Sequence, residues 1–264
     1  MSSVKKKDRL DRLLVARGLA PTLEKARSLI MAGEVIAHDH RADKPALLVS
    51  PDAPVRLRTE PCPYVSRGGL KLEKPLREFA VQVQGATVLD VGASTGGFTD
   101  CLLQHGAAKV YAIDVGYGQL AWKLQADSRV VRLDRTNITE VQPASIQPPA
   151  DLAVIDASFT SLTRLLDNVL RLLGPEGALV CLVKPQFEAR RGAVEKGGIV
   201  RNEKYYQEAI RNIVNCMILN GLFISGIVES PLQGTKGNRE FFIYARKIQQ
   251  DAEIRDGEIR GSNP

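Results

Sequence analysis

Four side chains in this sequence can move a proton or stabilise charge, and three of them border apolar runs. Asp156 follows "LAVI", and Lys184 follows "ALVCLV", with Pro185 stopping that run. Glu240 closes the glycine-bearing loop "PLQGTKGNRE" and opens a last apolar run. Lys71 follows Ser66-Arg67-Gly68-Gly69, a stretch that lets the backbone turn tightly. An unpaired ammonium is costly to bury, so Lys184 either snorkels to a sheet rim or has a partner. Gathered in one cleft, two lysines and two carboxylates could polarise or deprotonate a weak nucleophile such as a hydroxyl. Lys184 is the residue expected to do this, as a base if neutral and as an orienting donor if charged. The four groups would titrate as a coupled set. Cys62, in Pro61-Cys62, lies in an extended stretch far from any strand end and is set aside as a nucleophile. Cysteines 62, 101, 181 and 216 show no paired spacing, and His38-Asp39-His40 lacks a further ligand, so no disulfide framework or metal is expected.

A second constellation concerns a ligand. "LDVGASTGGFTD" (89–100) has the form of a nucleotide-binding turn between a strand and a helix. A dinucleotide site wants G-x-G-x-x-G, but Ser94 stands where the second glycine belongs. A phosphate loop needs a lysine after its glycines, and none is present. Asp90 puts an anion beside the loop, which suits a cationic ligand. Asp114, 22 residues after Gly92, stands where an acid can bind the two hydroxyls of a ribose. A nucleoside with a positive centre and no phosphate fits both, and S-adenosylmethionine is such a molecule. The expected cofactor contacts are Asp90, Gly92, Ala93, Ser94, Thr95, Gly96, Gly97, Phe98, Asp114, Val115 and Asp134. At the Asp156 strand end, Ala157 and Ser158 break the Asn/Asp-Pro-Pro-aromatic pattern of enzymes that methylate exocyclic base amines.

The elements that must position these groups alternate from Thr87 onward. "TVLDV", "KVYAIDV", "RVVRL", "LAVIDA" and "GALVCLVKP" read as buried strands. "GFTDCLLQHG", "GQLAWKLQAD", "SLTRLLDNVLRLLG" and "NEKYYQEAIRNIVNCMILNG" read as helices between or after them. "FISGIVESP" and "EFFIYARK" close the pattern as two strands with no helix between. This predicts an α/β fold: a mostly parallel, Rossmann-like sheet of seven strands with an antiparallel edge hairpin. Ligands in such sheets bind beyond the C-terminal strand ends, where strand order reverses.

Ahead of this lies a smaller pattern. Leu10, Leu13 and Leu14 recur at helical spacing, and Gly18 stops that helix. Thr22 caps a second helix striped by Ala26, Leu29 and Ile30, with Gly33 as its stop. "EVIA" and "VRLR" follow as short strands. The chain carries a formal charge of +6, and residues 1–28 hold eight Lys/Arg against three acids. Arg9, Arg12, Arg17, Lys25 and Arg27 fall off the apolar stripe, and contact with phosphates would explain them. No apolar run is long enough to span a bilayer, and no signal peptide is visible.

"DRLDRLLVARGLAPTLEKARSLIMAGEVIAHDHRADKP" resembles an S4 RNA-binding domain. That family often has Asn-Gly where His38-Asp39-His40 stands, so a looser hairpin is expected here. Lys71, Asp156, Lys184 and Glu240 resemble the K-D-K-E tetrad of FtsJ-type RNA ribose 2′-O-methyltransferases. With "YVSRGGLKL", "LDVGASTGGFTD", "VKPQFE" and "GNREFF", residues 8 to about 247 resemble the TlyA family, whose members also carry the name hemolysin A. The resemblance implies an S-adenosylmethionine-dependent methyltransferase that acts on the 2′-hydroxyl of cytidine in ribosomal RNA. It implies an S4-like domain over 1–60, a linker over 61–70, a methyltransferase domain over 71–248 and a flexible tail over 249–264. RNA contacts are expected from Arg9, Arg12, Arg17, Lys25, Arg27 and Arg67. Ribosomal RNA or ribosomal subunits are the expected partners, no membrane or protein partner is expected, and the place of work is the cytoplasm. The competing readings are an RNA-binding protein without catalysis and a membrane-lytic hemolysin.

Overall fold

The computed structural model describes residues 7–58, 62–190 and 192–248. The expected flexible tail lies outside the described residues, as do Lys5 and Lys6 of the basic stretch. The chain divides into two units, Met1–Pro63 and Tyr64–Pro264. The boundary places residues 64–70 in the second unit, where Tyr64 is buried in the core.

In the first unit, β1 (Asp8–Arg9) leads into α1 (Leu10–Ala16), followed by α2 (Leu23–Met31). Then come β2 (Val35–Ala37), β3 (His40–Ala42), β4 (Leu48–Val49) and β5 (Val55–Leu57). Leu10, Leu14, Ala26 and Ile30 are fully buried in one core. Thr22 Oγ1 accepts the Lys25 amide at 3.2 Å and so caps α2. β2 pairs antiparallel with both β3 and β5. The β2–β3 hairpin is tight, not loose, since Ala37 pairs with His40 across only two residues. His38 and Asp39 take φ of 49° and 63°, the left-handed geometry of a primed turn that Asn-Gly usually supplies.

The cations of this unit require a correction. Asp11 is completely buried and accepts Arg9 Nε and Nη2 at 3.0 and 2.7 Å and Arg27 Nε at 3.1 Å. Arg9 and Arg27 are therefore part of the fold. Arg17 donates to the carbonyls of Ala53 at 2.8 Å and Pro51 at 2.5 Å. Arg12 and Lys25 are exposed and form no side-chain hydrogen bond or ion pair among the described residues.

The second unit begins with α3 (Gly68–Glu78), β6 (Thr87–Val91), α4 (Gly97–Gln104), β7 (Lys109–Asp114), α5 (Trp122–Gln125) and β8 (Val130–Asp134). It continues with β9 (Ala150–Ile155), α6 (Leu166–Leu170), β10 (Leu173–Val183), α7 (Pro185–Glu188), α8 (Glu203–Leu219), β11 (Leu222–Glu229) and β12 (Phe241–Lys247). Seven strands lie in the order β11-β12-β10-β9-β6-β7-β8. β12 runs antiparallel to both neighbours, and the other pairings are parallel. The last strand is thus slotted inside the sheet and β11 forms the edge. Alternation along the strands splits the core into two layers. Val88, Val154, Val180 and Phe242 pack with Leu72 of α3 and Leu102 of α4. Leu89, Ile155, Cys181 and Ile243 pack with Val169 of α6 and Ile213 of α8.

Two helices are shorter than expected. Most of "GQLAWKLQAD" is loop and only Trp122–Gln125 is helical; Asp134 accepts the Gly118 amide at its start, and the Ala121 amide donates to the Thr95 carbonyl. "SLTRLLDNVLRLLG" breaks into a 3-10 turn (Leu162–Arg164) and α6, and Leu173 already belongs to β10. Strand order reverses between β6 and β9, which locates the cleft.

Candidate active site

At the C-terminal end of β6 the chain turns sharply through Gly92, at φ 89°. A Cβ on Gly92 would lie 2.8 Å from the Asp156 carbonyl oxygen, so the loop and the end of β9 touch only because of this glycine. Ser94, itself left-handed at φ 48°, donates its amide to Asp114 Oδ2 at 2.7 Å. Gly116 donates to Asp114 Oδ1 at 2.7 Å. Two backbone amides thus fix the Asp114 carboxylate at the mouth of the cleft, with lone pairs left for a ligand.

The cleft has two parts that share Gly92, Ser94 and Asp156. One cavity of about 470 Å³ is walled by Ile113, Asp114, Val115, Ile138, Phe159 and Leu165, among others. No lysine or arginine lines it, and its only charged residues are Asp114 and Asp156. It therefore favours a flat apolar ligand with hydroxyls and positive charge and disfavours a polyphosphate. The other cavity, about 380 Å³, is lined by Ser66, Arg67, Lys71, Ala93, Thr95 and Gly97, with Phe98, Leu232 and Gln233 nearby.

Not every expected contact faces this cleft. Asp90 lies on β6 itself, is fully buried, and accepts Thr99 Oγ1 at 2.6 Å through Oδ2. Burial pushes its carboxyl up to about 7, the Thr99 bond opposes this, and nearby Asp156 and Asp114 add to it. Gly96 turns to Leu120 and Leu124, and a Cβ there would lie 2.3 Å from Leu124, so its role is packing. Asp134 lines neither large cavity and is held by Gly118 and Arg132 at 3.2 Å each. Thr136, Asn137 and Ile138, just beyond it, line the larger cavity instead. The sequence reading passed over them because no motif marks that loop; carrying the strand-end rule a few residues past β8 would have found them.

The four side chains of the expected tetrad form two ion pairs. Lys184 Nζ lies 2.5 Å from Asp156 Oδ1 and donates to Ser158 Oγ at 2.8 Å. Lys71 Nζ lies 2.6 Å from Glu240 Oε2. Asp156 and Lys71 face the cleft, whereas Lys184 and Glu240 stand behind them, 9% and 2% exposed. Gly234 lets its loop close over Glu240, since a Cβ there would sit 2.0 Å from Oε1.

Ser158 enters the sequence reading only as a break in a motif and Phe159 not at all, yet both line the larger cavity. Phe159 is 92% exposed and holds φ 64°, a strained value for a bulky residue. Its ring stands 5.3 Å from that of Phe187. Glu188 pins the same loop to α7 by accepting Ser161 Oγ at 2.6 Å and the Leu162 amide at 2.9 Å. Burial raises the Glu188 carboxyl above its ordinary value.

Comparison with known proteins shows the family. The family model described as FtsJ-like methyltransferase matches residues 64–247. The 16S/23S rRNA (cytidine-2′-O)-methyltransferase TlyA of Mycobacterium tuberculosis is 43% identical over 239 residues, which cover 90% of this chain and 89% of that protein. The chain belongs to the TlyA family of FtsJ-like methyltransferases. YqxC of Bacillus subtilis, similar to this TlyA-family chain, is 46% identical over 258 residues, covering 96% and 92% of the two chains. A solved structure from Streptococcus thermophilus that carries a hemolysin name superposes with a TM-score of 0.72 at 40% identity, covering 92% of this chain and 90% of that one.

Proposed function

We propose that the chain transfers a methyl group from S-adenosylmethionine to the ribose 2′-hydroxyl of cytidine in ribosomal RNA, in the cytoplasm. The observation that carries this reading is the Lys184–Asp156 pair at the junction of a cation-free cavity and a cationic one. The name of the Mycobacterium tuberculosis relative supports the substrate. S-adenosylmethionine, when bound, supplies an electrophilic methyl group on a sulfonium. Asp114 would hold its ribose hydroxyls, and the apolar walls of Ile113, Val115 and Ile138 its adenine.

The remaining work belongs to the chain's own residues. Lys184 Nζ lies against an Asp156 oxygen at 2.5 Å and donates to Ser158 Oγ, so the orienting role is the one the geometry favours. A substrate hydroxyl that displaced Ser158 Oγ would receive its N–H and be held in line for attack. Asp156, with 24% of its side chain exposed, can accept the departing hydroxyl proton and pass it to water. Glu240 fixes Lys71, which with Arg67 presents positive charge to the RNA backbone. Phe159 offers an open ring face to a base.

The test is methyl transfer from labelled S-adenosylmethionine to ribosomal subunits, with mapping of the modified nucleotide. Lys184→Ala should lower turnover by at least about a hundredfold with RNA binding intact. Near-wild-type turnover in that variant would remove Lys184 from the mechanism. The hemolysin name supports a second reading, but no helix among the described residues is long and apolar enough to cross a membrane. Lysis of liposomes by purified protein without cofactor is the result that reading needs.

A further inference from the structure

The loop between β7 and α5 has a feature that neither the fold nor the methyl-transfer site uses. Two large aromatic side chains within six residues point into solvent: Tyr117 of the loop at 66% and Trp122, which opens α5, at 81% exposure. Trp122 is the only tryptophan in the chain. Exposure of this kind is costly unless something covers it.

The loop is not exposed through laxity. Gly116 and Gly118 donate to Asp114 at 2.7 Å and Asp134 at 3.2 Å. Ser94 Oγ donates to Gln119 at 3.3 Å, and the Ala121 amide donates to the Thr95 carbonyl at 3.1 Å. Leu120 and Leu124 pack against Gly96. The aromatic residues are therefore presented by a braced loop, the arrangement that binding surfaces need.

The bracing also locates the surface. Thr95 lines the cationic cavity with Arg67 and Lys71, and the Ala121 bond seats Trp122 one residue beyond it. Next in sequence, Lys123 pairs with Asp100 at 2.8 Å, and the same carboxylate accepts the Val65 amide at 2.7 Å. On the other side of the loop, the Arg135 guanidinium lies 4.2 Å from the centre of the Tyr117 ring. Arg135 is left-handed at φ 52°, held by its amide donating to Gly116 at 2.9 Å, and has no carboxylate partner among the described residues.

Rigid aromatic faces beside Arg135, a cation that lacks an acidic partner among the described residues, match the chemistry of unpaired RNA, where bases stack and phosphates are neutralised. We propose that Tyr117, Trp122 and Arg135 form an RNA-contact surface on which an unpaired base flanking the target nucleotide stacks on Trp122. The proposal rests on the RNA methyltransferase reading and adds a contact outside the catalytic cleft. Trp122 touches neither cavity, so its part is to hold RNA, not to take part in the chemistry.

The full-length protein tests this directly, because its tryptophan emission comes from Trp122 alone. Titration with naked ribosomal RNA should quench that emission in parallel with RNA retained on a filter. Trp122→Ala should raise KM for ribosomal subunits about tenfold, Trp122→Phe by less than about threefold, with kcat and S-adenosylmethionine affinity unchanged in both. Wild-type KM in Trp122→Ala, or unmoved emission while RNA is retained, would overturn the surface. Emission that shifts with protein concentration alone would also overturn it, by assigning the patch to a second copy of the chain. If emission responds to RNA but the wild-type protein methylates no ribosomal RNA, the surface stands and the methyltransferase reading fails.

Discussion

Replacing Asp90 by asparagine isolates the energetic cost of a carboxyl buried beside the cofactor loop. The side chain has no solvent exposure, Oδ2 takes the Thr99 hydroxyl, and Oδ1 is buried without a hydrogen-bond partner. Burial moves its pKa from 3.8 to about 7. Between those values the folded chain keeps a proton that the unfolded chain has released. Stability therefore falls as pH rises through this window, by about 1.4 kcal/mol per unit, and levels off above it. From pH 5 to pH 8 the loss from this one group is about 2–3 kcal/mol. Asp90→Asn does not titrate and still accepts from Thr99. Urea unfolding followed by far-ultraviolet circular dichroism measures the stability of both proteins. The wild-type minus variant stability should move by that amount in the variant's favour between pH 5 and pH 8. A difference constant within about 0.5 kcal/mol would refute the burial argument. A cationic ligand next door should also draw the proton off, so cofactor binding near pH 6.5 should release protons in wild type and not in the variant.

Other substitutions probe separate parts of the structure. Asp114→Ala removes an acceptor oriented by the Ser94 and Gly116 amides, and should weaken S-adenosylmethionine binding by about tenfold to a hundredfold in calorimetry. Asp11→Ala strands Arg9 and Arg27. Because both arginines are partly exposed, the cost should be about 2–3 kcal/mol, not the full value of a buried pair, and thermal unfolding measures it. The Arg9 hydrogen bond holds the Asp11 carboxyl well below its ordinary range. Its stabilisation is therefore complete above about pH 4 and fades as pH falls below that. Glu188→Ala frees the loop that carries Phe159, and should raise KM for ribosomal subunits more than it lowers kcat, with Glu188→Gln restoring most of the loss.

The parallel sheet could be read from the sequence because strands covered on both faces carry continuous apolar runs, as "ALVCLV" does. Lys184, Asp156 and Asp114 were found by the same logic, since each ends or follows such a run. Asp90 was misplaced because it lies on its strand, one residue before the strand's last. Alternation turns it into the layer beside α4, where Thr99 waits, and not into the cleft. Arg9 and Arg27 looked dispensable for folding because helical periodicity does not distinguish a solvated Asp11 from a buried one. The short α5 escaped notice for a similar reason: Asp134, at a strand end 16 residues on, captures the Gly118 amide with which the expected helix would begin. Phe159 had no motif to announce it. Its mark is a left-handed backbone, which only coordinates reveal.

The slotting of β12 between β10 and β11 has a consequence for how the molecule is made. Its strand is the last in the sequence, yet it joins two others that are already synthesised. Until residues 241–247 leave the ribosome, β10 has an open edge, Lys71 has no Glu240, and β11 has no sheet to join. The Lys71–Glu240 pair thus comes together only at the end of synthesis, whereas Lys184 and Asp156 follow strands already made. A chain broken off before β12 would lack its activity and also expose a sticky strand edge, a signature that quality-control machinery recognises.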